Sequence, residues 1–339
     1  MNILLTGGMG YIGTHTAAAL CEAGMRPVIV DNLSNSNERM LGRLVELTGV
    51  PVAFERGDIR DFDFLQHVLM REKIDAVMHF AGLKAVGESV KMPLHYYSNN
   101  IKGTITLLEA MESCGIRSLV FSSSATVYGI PQYLPLDEDH PRTSTNPYGR
   151  TKLHIEEMLE DVCNSKADWR VACLRYFNPV GAHESGLIGE SPSQVPNNIM
   201  PYLTQVAKGI LPFFNVYGAD YDTRDGTGVR DYIHVSDLAD GHVAALRFLN
   251  RQNGWHAFNL GTGKGISVLE LIGALSNIAG VEIPYKISPR RKGDVAECFA
   301  ICTKARDLLD WRAVRDIQDM CASAWMWQIN DAAEAGGSH

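Results

Sequence analysis

Tyr148 and Lys152 lie four residues apart in Tyr148-Gly-Arg-Thr-Lys152, a spacing that puts a phenol and an ammonium on one face of a helix. A free phenol ionises at about pH 10 and is a poor base at neutral pH; a lysine cation beside it favours the phenolate and lowers that value. Such a pair can exchange a proton with a hydroxyl group of a bound molecule. Tyrosine and lysine at this spacing are also common neighbours on a helix surface, so the pair gains meaning only from other residues. Phe121-Ser122-Ser123-Ser124 supplies one, because an apolar run ending in hydroxyls reads as the carboxyl end of a buried strand. Open α/β sheets place their ligands there, and Ser124 is the natural hydroxyl partner of Tyr148.

Gly7-Gly8-Met9-Gly10-Tyr11-Ile12-Gly13 follows the first apolar run and opens an amphipathic stretch. Gly7, Gly10 and Gly13 fall where a pyrophosphate-binding turn tolerates no side chain, and the following helix start offers free N–H groups to phosphates. Val28-Ile29-Val30 ends in Asp31, eighteen residues beyond Gly13. A carboxylate there accepts both ribose hydroxyls and repels a 2′-phosphate, which favours NAD over NADP. Lys152 is then placed to bond the nicotinamide ribose. Asp58, in Gly57-Asp58-Ile59, is suited either to the adenine edge or to capping a helix.

These residues need a scaffold. The runs 3–5, 27–30, 52–54, 76–80 and 119–121 read as buried strands, with amphipathic stretches between them that read as helices. That alternation predicts a doubly wound parallel α/β sheet. From about Ser185 the pattern turns irregular and richer in Pro, Asn and Gly. The expected division is a dinucleotide-binding Rossmann domain over 1–184, a smaller mixed α/β substrate domain over 185–330, and a disordered tail over 331–339. Strands at 229–235 and 258–260 can return to the first sheet.

A chain of 339 residues, 45% hydrophobic, is long enough to bury a large core. Its net charge of -8 argues against a general binder of nucleic acid or membrane surfaces. The seven cysteines are scattered, odd in number and without a CxxC pair, which suits reduced thiols and a cytoplasmic location. The start has no basic segment typical of a signal peptide, and no run of eighteen apolar residues occurs. Histidines with metal-ligand spacing are lacking, so no metal is expected.

The order of glycine turn, Asp31, Ser124 and Tyr148-x-x-x-Lys152 resembles the extended short-chain dehydrogenase/reductase family. His79-Phe-Ala-Gly-Leu-Lys-Ala-Val-Gly-Glu-Ser89, Ser122-Ser-Ser-Ala-Thr-Val-Tyr-Gly129, Arg175-Tyr-Phe-Asn-Pro-Val-Gly-Ala-His183, Gly228-Val-Arg-Asp-Tyr-Ile-His-Val235 and Pro289-Arg-Arg-Lys-Gly-Asp294 look like its UDP-galactose 4-epimerase branch. The resemblance runs from residue 1 to about 328. It implies a tightly held NAD contacted by Gly7, Gly10, Tyr11, Ile12, Gly13, Asp31, Asn32, Asp58 and Ile59. Further cofactor contacts are implied at Phe80, Ala81, Lys84, Asn99, Ser122, Tyr148, Lys152 and Tyr176. For a UDP-hexose substrate it implies Lys84, Ser124, Tyr148, Phe177, Asn178, Asn198, Arg230, Arg291, Asp294 and Cys298, and for the assembly a homodimer packed through helices of the first domain.

The implied reaction removes the C4 hydroxyl proton through Tyr148 while hydride passes from C4 to NAD. The 4-keto sugar then turns within the site and takes hydride back on its opposite face, so UDP must be gripped firmly and the hexose loosely. The resemblance also sets Cys298 against the sugar pocket, where some relatives carry tyrosine. A thiol leaves room beside C2, which predicts that UDP-GlcNAc and UDP-GalNAc are accepted as well. Ala300-Ile301-Cys302 departs from the Ala-Asp or Ala-Asn step usual after that position. A nucleotide-sugar dehydratase or decarboxylase is the enzymatic alternative, although Ala125 and Thr126 stand where a dehydratase would carry an acid beside Ser124. A non-catalytic dinucleotide sensor is the other, and it would leave Tyr148 and Lys152 without a role.

Overall fold

The chain carries strands β1 (Asn2–Thr6), β2 (Arg26–Asp31), β3 (Ala53–Arg56), β4 (Ala76–His79), β5 (Ser118–Ser124) and β6 (Arg170–Tyr176) in its first half. These are followed by β7 (Asn178–Val180), β8 (Phe214–Tyr217), β9 (Val229–His234), β10 (Gly254–Leu260), β11 (Gly265–Ser267), β12 (Tyr285–Ser288) and β13 (Glu297–Cys298). The structure, a computed structural model, describes residues 1–336 apart from 192–195, 197 and 292.

Seven strands form one sheet in the order β10-β6-β5-β4-β1-β2-β3, with every pairing parallel. Continuous apolar runs dictate this, because helices cover both faces and successive residues must all be buried. In β1 the alternation is explicit: Ile3 and Leu5 enter one core cluster and Leu4 the other, and all three are fully buried. Each such burial stabilises the fold by roughly 1.5–3 kcal/mol. The strand order reverses at β1, which has β2 on one side and β4 on the other. The crevice at the carboxyl ends of β1 and β4 is therefore the natural ligand position.

The later segments divide. Phe258–Leu260 lies in β10 at the edge of the large sheet, in register with Leu174–Tyr176 of β6. The stretch 229–234 forms β9, which instead pairs with β7, β11 and β13 in a small second sheet, while β12 pairs with β8. The helices Ile199–Ala207, Val268–Ala279 and Ile317–Gly336 bury a third core cluster around Leu203, Leu271, Leu275 and Met320. The last helix carries residues 331–336, which sequence reading assigned to a disordered tail; 337–339 lie outside the described residues. Among the described residues no helix is long and apolar enough to cross a membrane.

Among the buried histidines, burial drives four strongly toward the neutral form. His15, His79 and His234 are pushed down to about 3, and His242 to about 4. The unfolded chain binds these protons below about pH 6.5 and the folded chain does not. Their contribution is thus fully present above pH 6.5 and declines as the pH falls toward 4, by about 1.4 kcal/mol per pH unit for each histidine. Thermal unfolding between pH 6.5 and 4.5 is expected to show a steep drop in Tm, with proton uptake on unfolding approaching about four. A flat Tm over that window would refute it.

Candidate active site

The glycine turn is built by steric exclusion. Gly7 has φ +69°, and a Cβ there would stand 2.6 Å from the Ala81 nitrogen. A Cβ on Gly13 would meet the Gly8 Cα at 2.6 Å and the Gly7 carbonyl oxygen at 2.7 Å. Gly10 caps the helix Tyr11–Glu22 without any side-chain hydrogen bond, leaving the N–H groups of its first turn for an anion. The Phe80 and Ala81 N–H groups both donate to the Thr6 carbonyl at 2.9 Å, so the ends of β1 and β4 are held together beside the turn.

Asp31 is buried at the end of β2. It accepts from the Met9 N–H at 3.1 Å, the Leu33 N–H at 2.8 Å and the Ser36 hydroxyl at 2.8 Å. Asp58 is clamped by Arg60 at 2.8 and 2.7 Å and receives Asn32 at 3.1 Å. Those Arg60 bonds, opposed by partial burial, hold its carboxyl well below the usual carboxylate range. The capping role open to Asp58 belongs to Asp61, which accepts from the Phe64 N–H at 3.0 Å and starts the helix Phe62–Arg71. Ile59 is buried against Gly103, and Ile12 packs on the first core cluster. Tyr11 donates its hydroxyl to the Gly181 carbonyl at 2.6 Å. Tyr176 is buried with its hydroxyl on His242, whose ring lies 4.9 Å from that of Phe80. A cradle closed to side chains at Gly7 and Gly13 and edged by a carboxylate fits the adenosine and diphosphate of a dinucleotide.

The helix Pro147–Ser165 starts on Asn146, whose side chain accepts from the Gly149 N–H at 2.9 Å, with Pro147 pre-set at its first position. Gly149 lets this helix press against the segment after Ser124, since a Cβ there would lie 3.0 Å from the Thr126 carbonyl oxygen. Lys152 is only 4% exposed; its ammonium donates to the Ser122 carbonyl at 2.6 Å and lies 4.8 Å from the Phe121 ring centre. Burial pushes it down to about 8. Tyr148 is half-buried, and burial raises its phenol above the ordinary value, with a hydrogen bond from Ser124 acting the other way. This corrects the expectation that Lys152 lowers the Tyr148 value: desolvation dominates, and the ammonium is committed to Ser122 at the strand end.

Asn99 sits inside the helical turn Tyr97–Lys102 and donates to the Asn100 side chain at 3.0 Å. Asn100, which sequence reading passed over, is the buried member of the pair. It accepts from the Leu83 N–H at 2.8 Å and donates to the Leu83 carbonyl at 3.1 Å and the Thr151 hydroxyl at 3.0 Å. It thereby ties the loop after β4 to the helix of Tyr148. Glu190 was missed as well: one oxygen of its carboxylate accepts from Lys84 at 3.1 Å and from Asn198 at 2.5 Å. Only the adjacent Asn99 hinted at the first residue, and nothing in the local pattern hinted at the second.

Asn178, Asn198, Arg230, Arg291 and Asp294 meet in one cleft of about 300 Å³, together with Tyr202, Phe214, Tyr217 and Tyr221. The aromatic residues escaped sequence reading because they fall in the irregular second half. Arg291 donates to Asp294 at 2.9 Å and lies 4.7 Å over the Tyr217 ring. Arg230 is not paired with Asp231, which points away from the cleft. Asp231 is fully buried and accepts from the N–H groups of Thr262 at 2.8 Å, Gly263 at 2.9 Å and Ala300 at 3.2 Å. Cys298 stands beside Arg230 in the β13–β9 pairing and packs with buried Phe177, Val127 and Ala300. Burial pushes its thiol up to about 11. The cleft adjoins the hydroxyl cluster, for Ser124 pairs with Tyr176, two residues before Asn178. Among the described residues no group of three or more His, Cys, Asp or Glu side chains is arranged to hold a metal ion.

Comparison with known proteins gives consistent findings. Residues 3–261 match the model of the NAD dependent epimerase/dehydratase family. A UDP-glucose 4-epimerase from Bacillus subtilis (strain 168) is 53% identical over 331 residues, covering 98% of each chain. A UDP-glucose 4-epimerase from Stenotrophomonas maltophila, solved with bound NAD and formylated UDP-arabinopyranose, superposes with a TM-score of 0.97 at 50% identity, covering 98% of this chain and 99% of that one. A UDP-glucose 4-epimerase from Bifidobacterium longum, in complex with NAD+ and UDP, superposes with a TM-score of 0.95 at 50% identity and the same coverage.

Proposed function

The chain belongs to the NAD dependent epimerase/dehydratase family, and we propose that it interconverts UDP-glucose and UDP-galactose by inversion at C4, with NAD held throughout the cycle. The observation that carries this reading is the placement of Ser124, Tyr148 and Lys152 at the carboxyl end of β5, between a dinucleotide cradle and a cleft that gathers Arg230, Arg291, Asn178 and Asn198. When bound, NAD supplies reversible oxidation of the C4 alcohol to a ketone. The protein's part is proton handling and alignment. Tyr148 takes the C4 hydroxyl proton and returns it, with Ser124 bonded to the phenol. Lys152, gripped by the Ser122 carbonyl, is the cation that bonds the nicotinamide ribose. Arg230 and Arg291 are placed to hold the diphosphate by charge-assisted bonds, while the two asparagines offer adaptable contacts to a hexose that must present both faces.

Proton NMR of the purified protein with UDP-galactose and no added NAD tests this directly. Appearance of the UDP-glucose anomeric signal is the expected result; no conversion after NAD is supplied and its binding verified would reject the epimerase reading. We also propose that Cys298, a thiol smaller than the tyrosine some relatives carry there, admits UDP-GlcNAc and UDP-GalNAc. Cys298→Tyr is expected to cut kcat/KM for UDP-GalNAc by about 10²-fold, in keeping with steric exclusion from a pocket, and that for UDP-galactose by far less. Equal losses on both substrates would count against the gate.

The cytoplasm and a homodimer complete the proposal. Seven free thiols support the first. The second is supported by apolar side chains left exposed near one another in sequence on the first unit, Val90 at 63%, Met92 at 50% and Leu94 at 82%. Sedimentation at twice the chain mass is the result that fits.

A further inference from the structure

A charged cluster lies behind the reacting hydroxyls and takes no part in the proton transfer. Glu156 and Arg175 are respectively 0% and 1% exposed. Arg175 grips the carboxylate twice, Nη2 to Oε2 at 2.8 Å and Nε to Oε1 at 3.1 Å. It also donates to the Tyr128 hydroxyl and the Glu138 carbonyl, both at 3.0 Å, and Tyr128 in turn donates to Asn259 at 2.6 Å. Arg142 reaches Glu156 Oε2 at 3.3 Å. The last bond to the carboxylate comes from the Ser123 hydroxyl, which donates to Oε1 at 2.5 Å.

Burying two ions costs several kcal/mol each in lost hydration, which their attraction roughly repays, so such a pair adds little net stability. What it does impose is geometry. Ser123 stands between Ser122, whose carbonyl receives Lys152, and Ser124, whose hydroxyl faces Tyr148. Side chains alternate along a strand, so Ser123 points to the opposite face from both neighbours. Glu156 lies one and two turns beyond Lys152 and Tyr148 on the same helix. One carboxylate thus ties the end of β5 to the helix that carries the base, and Arg175 from β6 sets how that carboxylate faces.

We propose that Ser123 is a positioning residue for the proton transfer, its hydroxyl anchored on the Glu156–Arg175 pair so that Ser124 and the Ser122 carbonyl stand at the correct reach of Tyr148 and Lys152. This rests on the epimerase reading above. Tyr148 is faced by Ser124 from β5, by the phenols of Tyr96 and Tyr176, and by Lys152 on its own helix. The Ser124 bond is the contact that draws the buried phenol back toward ionisation. If Ser124 drifts, Tyr148 becomes harder to ionise, and the acid limb of the kcat/KM profile moves to higher pH.

Ser123→Ala removes the hydroxyl while Glu156 keeps both arginines, so no charge is stranded. The expected result is kcat lower by about tenfold, as misplacement of reacting groups produces, with KM nearly unchanged. The acid limb should move alkaline, and retained NAD, UDP affinity and Tm should stay close to those of the parent. Parent-like kcat with an unmoved pH profile would overturn the proposal. So would a parallel loss of NAD, UDP affinity and Tm, which marks a purely structural residue. Absence of epimerisation by the unmodified protein is a separate result and rejects the function itself.

Discussion

Replacing Tyr148 with phenylalanine is expected to lower kcat for UDP-galactose by about 10³-fold, within the range that a positioned acid–base group contributes. The phenol oxygen faces Ser124 at the end of β5, and burial already holds it in its protonated form more firmly than in water. Lys152 cannot replace it, because its ammonium is fixed on the Ser122 carbonyl. Ser124 lacks a base of its own. Phenylalanine keeps the ring and loses one oxygen, so the fold and the Arg230–Arg291 cleft, which Tyr148 does not line, should persist. The check is paired: initial rates by NMR and titration of UDP by calorimetry. A kcat within tenfold of the parent would place the proton acceptor elsewhere, and a matching loss of UDP affinity would mean that the residue serves binding instead.

Gly7→Ala carries the second large effect. The left-handed backbone at φ +69° costs an L-residue about 1–2 kcal/mol. The new Cβ would also stand 2.6 and 2.7 Å from the backbone nitrogen and Cα of Ala81, which are not flexible tips that can swing away. Relief requires parting the ends of β1 and β4, where the Phe80 and Ala81 N–H groups are bonded to Thr6. The purified variant is expected to carry almost no NAD and to melt several degrees lower, at roughly 2–4 °C per kcal/mol for a large chain. Gly10→Ala is the internal control, since its Cβ would meet only the Gly7 oxygen at 3.2 Å. Nucleotide released on denaturation, measured against protein, decides between them; full NAD content in Gly7→Ala would refute the steric account.

Three features of this protein are encoded locally enough to be read from its residues. The apolar runs specify β1, β2, β4 and β5 because a strand covered on both faces is apolar through its centre, while the edge strand β3, only half-buried, shows just Ala53 and Phe54 of that signal. The glycine turn is legible because its constraint acts on the backbone of consecutive residues, and Asp31 because it ends the next strand. Tyr148 and Lys152 are legible because helical spacing alone puts them on one face. The second sheet was harder: 229–234 and 258–260 look alike as apolar runs, yet β9 joins the small sheet and β10 the large one. Partner choice between strands depends on residues far away in sequence, here β7 and β13 for one and β6 for the other.

By itself, then, the sequence determined the sheet class, the dinucleotide turn and the helical pairing of Tyr148 with Lys152 that the proposed proton transfer uses, all properties carried by short stretches of residues. Only the tertiary structure decided what those side chains face. It turned Lys152 onto a carbonyl thirty residues upstream, aimed Asp231 away from Arg230, joined Lys84 and Asn198 through Glu190, and set Glu156 and Arg175 behind Ser123. The reason is physical: desolvation and side-chain direction are set by whichever distant segment packs against a residue, and the proton affinity of Tyr148 follows from that burial rather than from its neighbour four positions on.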